Sequence, residues 1–396
     1  MCWLAAAIVF IPIVVLFIEC VAAAVPAGMP PPGGPRPEAA VLVPAHQEQH
    51  FITSTVEHLR PQLQTSDRLI VIADNCTDRT AELARGAGAQ VIERHDEHRR
   101  GKEYALAHAI DQLRSSPPQV VLVIDTDCRV EPGTLDTLAR TAHHSGRPVQ
   151  AAYLHAAPQP RTPTGEVNAL AVLVKNMVRP LGLWRLGLPC QLTGAGTALP
   201  WHVIDRLPLA TGHMAEDYQM GVNAARAGFP PLFCPQAVVR SNLPAKSDAA
   251  RGQRRRWEHG HIHMLLRQAP GLAALGLWRR RIDLLALGLD LFVPPLALLS
   301  VAWLSASAAA TACGSWTGRW GPAWLVAVAG LLLAVSVVTA WARFGRSSVS
   351  ALALLAAPLY VLWKIPIYLA FPFRRQKIWL RTPRVQPEDT DLKTED

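Results

Sequence analysis

The chain has 396 residues, with 39 basic against 30 acidic side chains, a net charge of +9 and half of its residues apolar. That length holds one large domain or two smaller ones, and no recognised nucleic-acid motif accompanies the charge, which sets a nucleic-acid partner aside. Seven cysteines lie far apart with no Cys-x-x-Cys pair or His/Cys ligand spacing, which excludes a structural zinc site and suits a reducing compartment.

Apolar residues crowd the start of the chain and the region from Leu284 onward, while the middle has globular composition. This predicts a soluble domain held between membrane segments. Residues 1–26 form an almost uncharged apolar stretch, long enough to cross a bilayer, with Glu19 inside it. No basic segment precedes the apolar run, so a membrane anchor is expected rather than a cleaved leader. Residues 27–38, rich in proline and glycine, read as a linker.

Residues 39–260 are the expected catalytic domain. Ala39–Val43 reads as a buried strand, and Ile52, Val56, Leu59 and Leu63 follow at helical spacing. Leu69–Ile72 is a second strand ending in Asp74-Asn-Cys-Thr-Asp78, where Thr77 or Asp78 can cap a helix. Gln90–Ile92 is a short third strand, and Arg99-Arg-Gly-Lys102 opens a helix through Leu106 and Ile110. Val120–Ile124 is the central strand. This alternation predicts an α/β fold with a mostly parallel sheet and right-handed crossovers, so that Glu48, Asp74 and Asp127 converge at one sheet edge.

The central strand runs into Asp125-Thr-Asp127. Two carboxylates one residue apart can hold Mg2+ or Mn2+ beside substrate phosphates, although the same tripeptide also serves as a solvated turn. Lys102, just after a glycine at a helix start, is placed to meet phosphate oxygens or to be an ordinary first-turn lysine. Gly194, within Thr193-Gly-Ala-Gly-Thr197, lets backbone approach a ligand or simply makes a turn. Glu216 and Asp217 form a second acidic pair at the start of a helix through Tyr218, Val222 and Ala225, where capping is the plainer reading. Gln253-Arg-Arg-Arg-Trp257 can hold an anionic leaving group and stack a sugar ring, or lie as a basic helix at lipid headgroups. Both readings of that motif put it on the cytoplasmic face.

Residues 261–282 read as a basic interfacial segment and 283–372 as membrane segments. Leu284–Leu304 and Ala323–Ala342 are the expected spans. Ser350–Phe371 is a third candidate, interrupted by Pro358, Lys364 and Pro366. If it crossed as well, the basic then acidic tail of residues 373–396 would lie opposite the catalytic domain, against the positive-inside rule; a re-entrant or interfacial segment resolves the conflict.

In order along the chain, Pro44-Ala-His-Gln-Glu48, Asp74-Asn-Cys-Thr-Asp78, Gly101-Lys102, Asp125-Thr-Asp127, Glu216-Asp217 and Gln253-Arg-Arg-Arg-Trp257 resemble the membrane-bound family 2 glycosyltransferases. These are the relatives of cellulose, chitin, hyaluronan and poly-N-acetylglucosamine synthases. The resemblance implies a GT-A fold, Rossmann-like and flanked by transmembrane helices, and an inverting transfer from a nucleotide-sugar donor, usually uridine-linked. By the same resemblance Ala45, Glu48 and Asp74 line the nucleoside pocket, and Lys102 and Asp125 lie near ribose and diphosphate. Asp127 is the metal ligand and Asp217 the general base. Gly194, Glu216, Gln253, Arg256 and Trp257 meet acceptor sugar and diphosphate. Trp379-Leu-Arg-Thr-Pro-Arg384 is faintly similar to a loop that closes over the nucleotide in some synthases. Gln47, Ala73 and Ala215 depart from the usual Asn, Asp and Thr.

The expected enzyme is therefore a multi-pass protein of the inner membrane with a cytoplasmic catalytic domain. It takes a nucleotide-sugar donor and a glycan or lipid-linked acceptor, and export partners move its product outward. The alternatives are a non-processive transferase adding one sugar to a lipid carrier, and a catalytically silent scaffold.

Overall fold

The computed structural model describes residues 2–26, 28, 34–155, 162–212, 215–241 and 247–369, with side chains at 247–255, 367 and 369 excepted. The chain divides into two compact units, one drawing on Met29–Ala156 and Leu192–Arg254, the other on Met1–Gly28, Ala157–Gln191 and Arg255–Gln376.

The first unit is built on an eight-stranded sheet ordered β3-β2-β1-β4-β7-β6-β8-β5. Its strands are β1 (Ala39–Ala45), β2 (Arg68–Asp74), β3 (Gln90–Arg94), β4 (Val120–Val123), β5 (Cys128–Val130), β6 (Val149–His155), β7 (Thr197–Pro200) and β8 (Leu232–Ser241). β1 pairs parallel with β2 and β4, and β2 with β3. β7 runs antiparallel to both β4 and β6, β6 is parallel to β8, and β5 is antiparallel to β8. Only β5 and β7 oppose the common direction, as expected for a mostly parallel sheet.

Both sheet faces are covered, which explains why its strands are almost continuously apolar. Val41, Val43, Val71 and Leu122 pack with Ile52, Val56, Leu135 and Leu138 on one face. Leu42, Ile70, Ile72, Val121 and Val123 pack with Leu106, Ile110, Val203 and Met220 on the other. The helix Ile52–Leu59 stops short of Leu63 because Pro61 turns Arg60–Gln62 into a 3-10 segment.

Parallel direction puts the carboxyl ends of β1, β2, β3, β4, β6 and β8 at one edge. The antiparallel β7 brings its beginning, and with it Gly194, to that same edge. Gly196 holds this turn close to the sheet: at φ +78° a Cβ there would lie 2.8 Å from Val239 Cγ2 and 2.9 Å from Ala151 Cβ.

The second unit holds the long apolar helices. Cys2–Ala24, Leu296–Thr317 and Gly321–Gly345 are, among the described residues, the three helices long and apolar enough to cross a membrane. The expected span Leu284–Leu304 is broken. Pro294 and Pro295 end the helix Ile282–Phe292, and the spanning candidate starts afresh at Leu296. The third segment forms two shorter helices, Ala351–Leu355 and Ala357–Leu369, and residues 370–396, including Trp379 and Arg384, lie outside the described residues. Lys364 is buried and pairs with Glu258, while Tyr360 Oη donates to Asn168 Oδ1 at 2.9 Å.

Residues 163–185, a helical run expected to lie inside the catalytic domain, fall in this second unit instead. The cause is visible at Arg179, whose guanidinium meets Glu19 at 2.7 Å and Asp290 at 2.5 Å. Gly182 lets the two backbones meet: a Cβ there would stand 2.0 Å from the Glu19 carbonyl oxygen. The carboxylate inside the first apolar helix is thus one arm of a buried ion triad.

Gly196→Ala is expected to lower stability by about 1–3 kcal/mol through crowding added to backbone strain. Gly133→Ala, with the same φ of +78° and nothing within 4 Å, should lose less. Thermal unfolding of the two full-length variants in detergent checks the difference.

Candidate active site

The site is assembled where strand ends and loops meet at the carboxyl edge of the sheet. On the β1 and β2 side the loops are laced together. His46 Nδ1 lies 2.7 Å from the Asp74 carbonyl oxygen, the Glu48 N–H donates to Thr80 Oγ1 at 2.8 Å, and Gln49 N–H donates to Asp78 at 3.2 Å. Gln47 sits at φ +57°, a left-handed conformation that Asn tolerates better. Its longer amide compensates by donating to Thr77 Oγ1 at 2.7 Å and accepting the Thr77 N–H at 3.3 Å. Ala45 is buried at the end of β1.

Asp74 is buried at the end of β2, and its Oδ1 accepts from Arg94 Nη1 at 2.6 Å and Asn75 Nδ2 at 3.2 Å. Arg94 also donates to Asp96 at 3.0 Å and the Arg99 carbonyl at 2.7 Å, so it ties β2 to the loop before Lys102. Sequence reading missed Arg94. The signal available was an arginine closing a strand beside a run of acidic and basic residues.

Lys102 begins the helix Lys102–Leu113, and its Nζ lies 2.9 Å from Asp125 Oδ1 and 3.5 Å from Asp217 Oδ1. Burial alone would lower its pKa, but Asp125, Asp217 and Glu216 outweigh that and raise it above the ordinary lysine range. Lys102 therefore stays a cation across the physiological range. Its neighbour Glu103 accepts from Thr211 N–H at 3.2 Å and Thr211 Oγ1 at 3.1 Å, fastening the helix start to the segment ahead of Asp217.

Asp217 stands in the first turn of the helix Glu216–Arg226, behind Ala215, which makes no side-chain cap. Ligand atoms of Asp125, Asp127 and Cys128 lie within 4.8 Å of one another. Burial, reinforced by Asp127 and Asp125, raises the Cys128 thiol well above its ordinary range. It points to Asp127 Oδ1 at 3.6 Å, while Ser241 Oγ, at the end of β8, donates to Asp127 Oδ2 at 3.2 Å. Two hard carboxylates, Asp127 held by the Ser241 hydroxyl and the Cys128 thiol and Asp125 by Lys102, suit a divalent cation such as Mg2+ or Mn2+, whereas a protonated thiol does not ligate.

Gly194, at φ +115°, packs beside both Tyr153 and Asp217: a Cβ there would be 3.5 Å from the Tyr153 ring and 3.7 Å from Asp217 Oδ2. The buried Gln150 shapes this turn. Its Oε1 accepts from Thr193 N–H and Thr197 Oγ1 at 2.9 and 3.1 Å, and its Nε2 donates to the Ala195 carbonyl at 3.0 Å. Gln150 was also missed, although an amide within the largely apolar β6 (Val149–His155) is a readable signal. Lys102, Asp125, Asp127, Gly194 and Asp217 are thus joined by direct contacts or close neighbours.

The arginine motif lies on the helix Ser247–Arg267. The Gln253 side chain is outside the described residues, and Arg256 and Trp257 are half-buried and belong to the unit of apolar helices.

A model of the glycosyltransferase-like family 2 matches residues 35–260, which contain the whole sheet and every acidic residue of the cleft. The chain belongs to this family. It is a glycosyltransferase. No curated protein matches its sequence. Among solved structures it is similar to mannosyltransferase PcManGT from Pyrobaculum calidifontis in complex with GDP-Man and Mn2+, at 18% identity and TM-score 0.55, covering 92% of this chain and 100% of that one. That likeness shows the GT-A fold. A glucosyl-3-phosphoglycerate synthase from Mycobacterium tuberculosis in complex with Mg2+ and uridine diphosphate matches at 22% identity and TM-score 0.37, covering 52% of this chain and 70% of that one. A further mycobacterial protein matches at 25% identity and TM-score 0.36, over 52% and 65% of the two chains.

Within this glycosyltransferase the side chains of the Arg94–Asp74 pair are each 9% exposed. Arg94→Met should cost about 3–5 kcal/mol by leaving a buried carboxylate without its cation. Adding Asp74→Asn should recover most of that loss. Denaturant unfolding of single and double variants measures both.

Proposed function

We propose that this glycosyltransferase is an inverting, metal-dependent enzyme that uses a uridine-linked nucleotide sugar to extend an exopolysaccharide or lipid-linked glycan at the cytoplasmic face of the inner membrane. The observation that carries the reading is Lys102, which contacts Asp125 on the expected donor side and Asp217 on the expected acceptor side. One cleft then serves diphosphate departure and acceptor deprotonation together.

In this reading Asp217 takes the proton from the attacking acceptor hydroxyl as that oxygen bonds to the anomeric carbon. The bond from that carbon to the diphosphate breaks, and its electron pair leaves with the nucleoside diphosphate. A divalent cation held by Asp127, with Asp125 beside it, would neutralise the departing oxygens. Ser241 keeps Asp127 oriented, and Lys102 supplies a further positive charge for the diphosphate. Ala45, Glu48 and Asp74 line the nucleoside pocket. Gly194 and Glu216 border the acceptor. Gln253, Arg256 and Trp257 meet acceptor sugar and diphosphate.

The first helix and Gly321–Gly345 meet at both of their ends within the unit of apolar helices. Arg343 Nη2 donates to the Ala24 carbonyl at 3.2 Å, so the first helix ends beside an arginine. The opposite end carries Trp3, packed against Gly321, with the exposed Trp316 nearby in sequence. Both ends carry arginine and tryptophan, Arg319 beside Trp320 at one and Arg346 over the Trp341 ring at the other, so the cytoplasmic assignment rests on the positive-inside expectation for the arginine-rich segment before the apolar helices.

Asp217→Asn should leave donor affinity nearly intact and cut turnover by about 10²–10⁴-fold, the contribution of a positioned base. Glu216→Gln is the control, because an acidic pair acting only through the helix dipole would respond alike at both positions. Retention of more than about a tenth of parental rate by Asp217→Asn removes the base assignment.

Asp127→Asn should abolish turnover and weaken nucleotide binding mainly in the presence of Mg2+ or Mn2+. Donor affinity that is the same with and without metal in the parent enzyme contradicts the ligand role. A screen of nucleotide sugars followed by diphosphate release identifies the donor. Sugars counted per acceptor then test extension, which a single added sugar would refute.

A further inference from the structure

Lys102 is held in place by more than its own charge. It is the first residue of its helix, and the adjacent Glu103 fixes that helix start through the Thr211 N–H and hydroxyl at 3.2 and 3.1 Å. The Lys102 side chain is 14% exposed, with its ammonium 2.9 Å from Asp125 Oδ1. Asp125 in turn belongs to the group whose ligand atoms, with those of Asp127, lie within 4.8 Å of one another. A fixed protein cation therefore occupies the electrostatic place that a divalent ion would use.

Two cations facing one carboxylate repel, and a partly buried site screens that repulsion less than open water does. A nucleoside diphosphate reverses the balance. It supplies oxygen atoms that accept from an ammonium, and negative charge that attracts lysine and metal alike. We propose that Lys102 makes divalent-cation binding conditional on nucleotide. In the free enzyme it weakens the affinity of Asp125 and Asp127 for the bare ion. When nucleotide and ion arrive together, the ammonium turns to the diphosphate and Asp125 is released to favour the metal. The enzyme then leaves cytoplasmic Mg2+ or Mn2+ unbound until a donor is present. This inference rests on the reading of Asp127 as the metal ligand.

The signature is a single residue acting with opposite sign on two ligands. Lys102→Met should bind Mn2+ alone about tenfold more tightly than the parent, as expected for removing one nearby charge. The same variant should bind nucleotide diphosphate more weakly. Lys102→Arg keeps the charge and should hold Mn2+ as weakly as the parent does. Free Mn2+ is measured by electron paramagnetic resonance on the full chain in detergent, without nucleotide and with UDP or GDP. Lys102→Gln is titrated alongside in case the methionine variant misfolds, which its thermal unfolding would reveal. The proposal is overturned if the parent binds Mn2+ with nucleotide while neither uncharged variant binds the bare ion more tightly. A parent that takes up no Mn2+ under either condition instead removes the metal assignment of Asp127, and this inference with it.

Discussion

Bringing Asp125, Asp127, Glu216 and Asp217 to one sheet edge costs electrostatic free energy, and the ammonium of Lys102 offsets it. The common strand direction puts Asp125 and Asp127 at that edge after β4, and the helix Glu216–Arg226 starts there too, with Asp217 beside Gly194 and Lys102. Without a cation among them, these carboxylates would repel one another in a cleft that water screens only partly. Lys102 meets two of them directly. Its position in turn depends on Glu103 and on the Arg94 contact to the Arg99 carbonyl, which shape the approach to its helix. The expected donor and acceptor sides of the chemistry are thus electrostatically linked before any ligand is bound.

A parallel logic organises the apolar helices. A charge inside an apolar helix is tolerated when partners satisfy it. Arg179 lies between Glu19 and Asp290, and it also donates to the Asp290 carbonyl at 2.6 Å. Lys364 and Glu258 form a second buried pair in the same unit. These contacts join helices that hydropathy treats as interchangeable, and they explain why charged residues persist in otherwise apolar segments.

Much of the first half of the sheet was legible in the sequence because its evidence is local. β1, β2 and β4 announce themselves as short apolar runs, the last two running into Asp74 and Asp125, and Lys102 follows from the glycine at the start of its helix. Glu216 and Asp217 could be located, but only the fold shows Asp217 facing Lys102 instead of acting solely as helix-start chemistry. Ser241 was not readable, because its contact with Asp127 arises from the antiparallel pairing of β8 with β5, where Ser241 stands opposite Cys128 although the two are far apart in the chain. The helical run of residues 163–185 was also missed. Its apolar composition fits a soluble core as well as a bundle, and the feature that decides between them is an ion pair to Glu19. Membrane boundaries shifted for a plain reason: hydropathy runs smoothly through Pro294 and Pro295, but backbone hydrogen bonding does not.

The Glu19–Arg179 pair also sets a timetable for biogenesis. Its members are separated by 160 positions, and Asp290 lies a further 111 beyond Arg179. At ribosomal rates of about 5–20 residues per second, Glu19 is made roughly 8–32 seconds before its guanidinium partner. Throughout that interval the first helix carries an acidic group without the contact that later satisfies it. Final seating of that helix is consequently a late event in synthesis, completed by residues that emerge after most of the sheet.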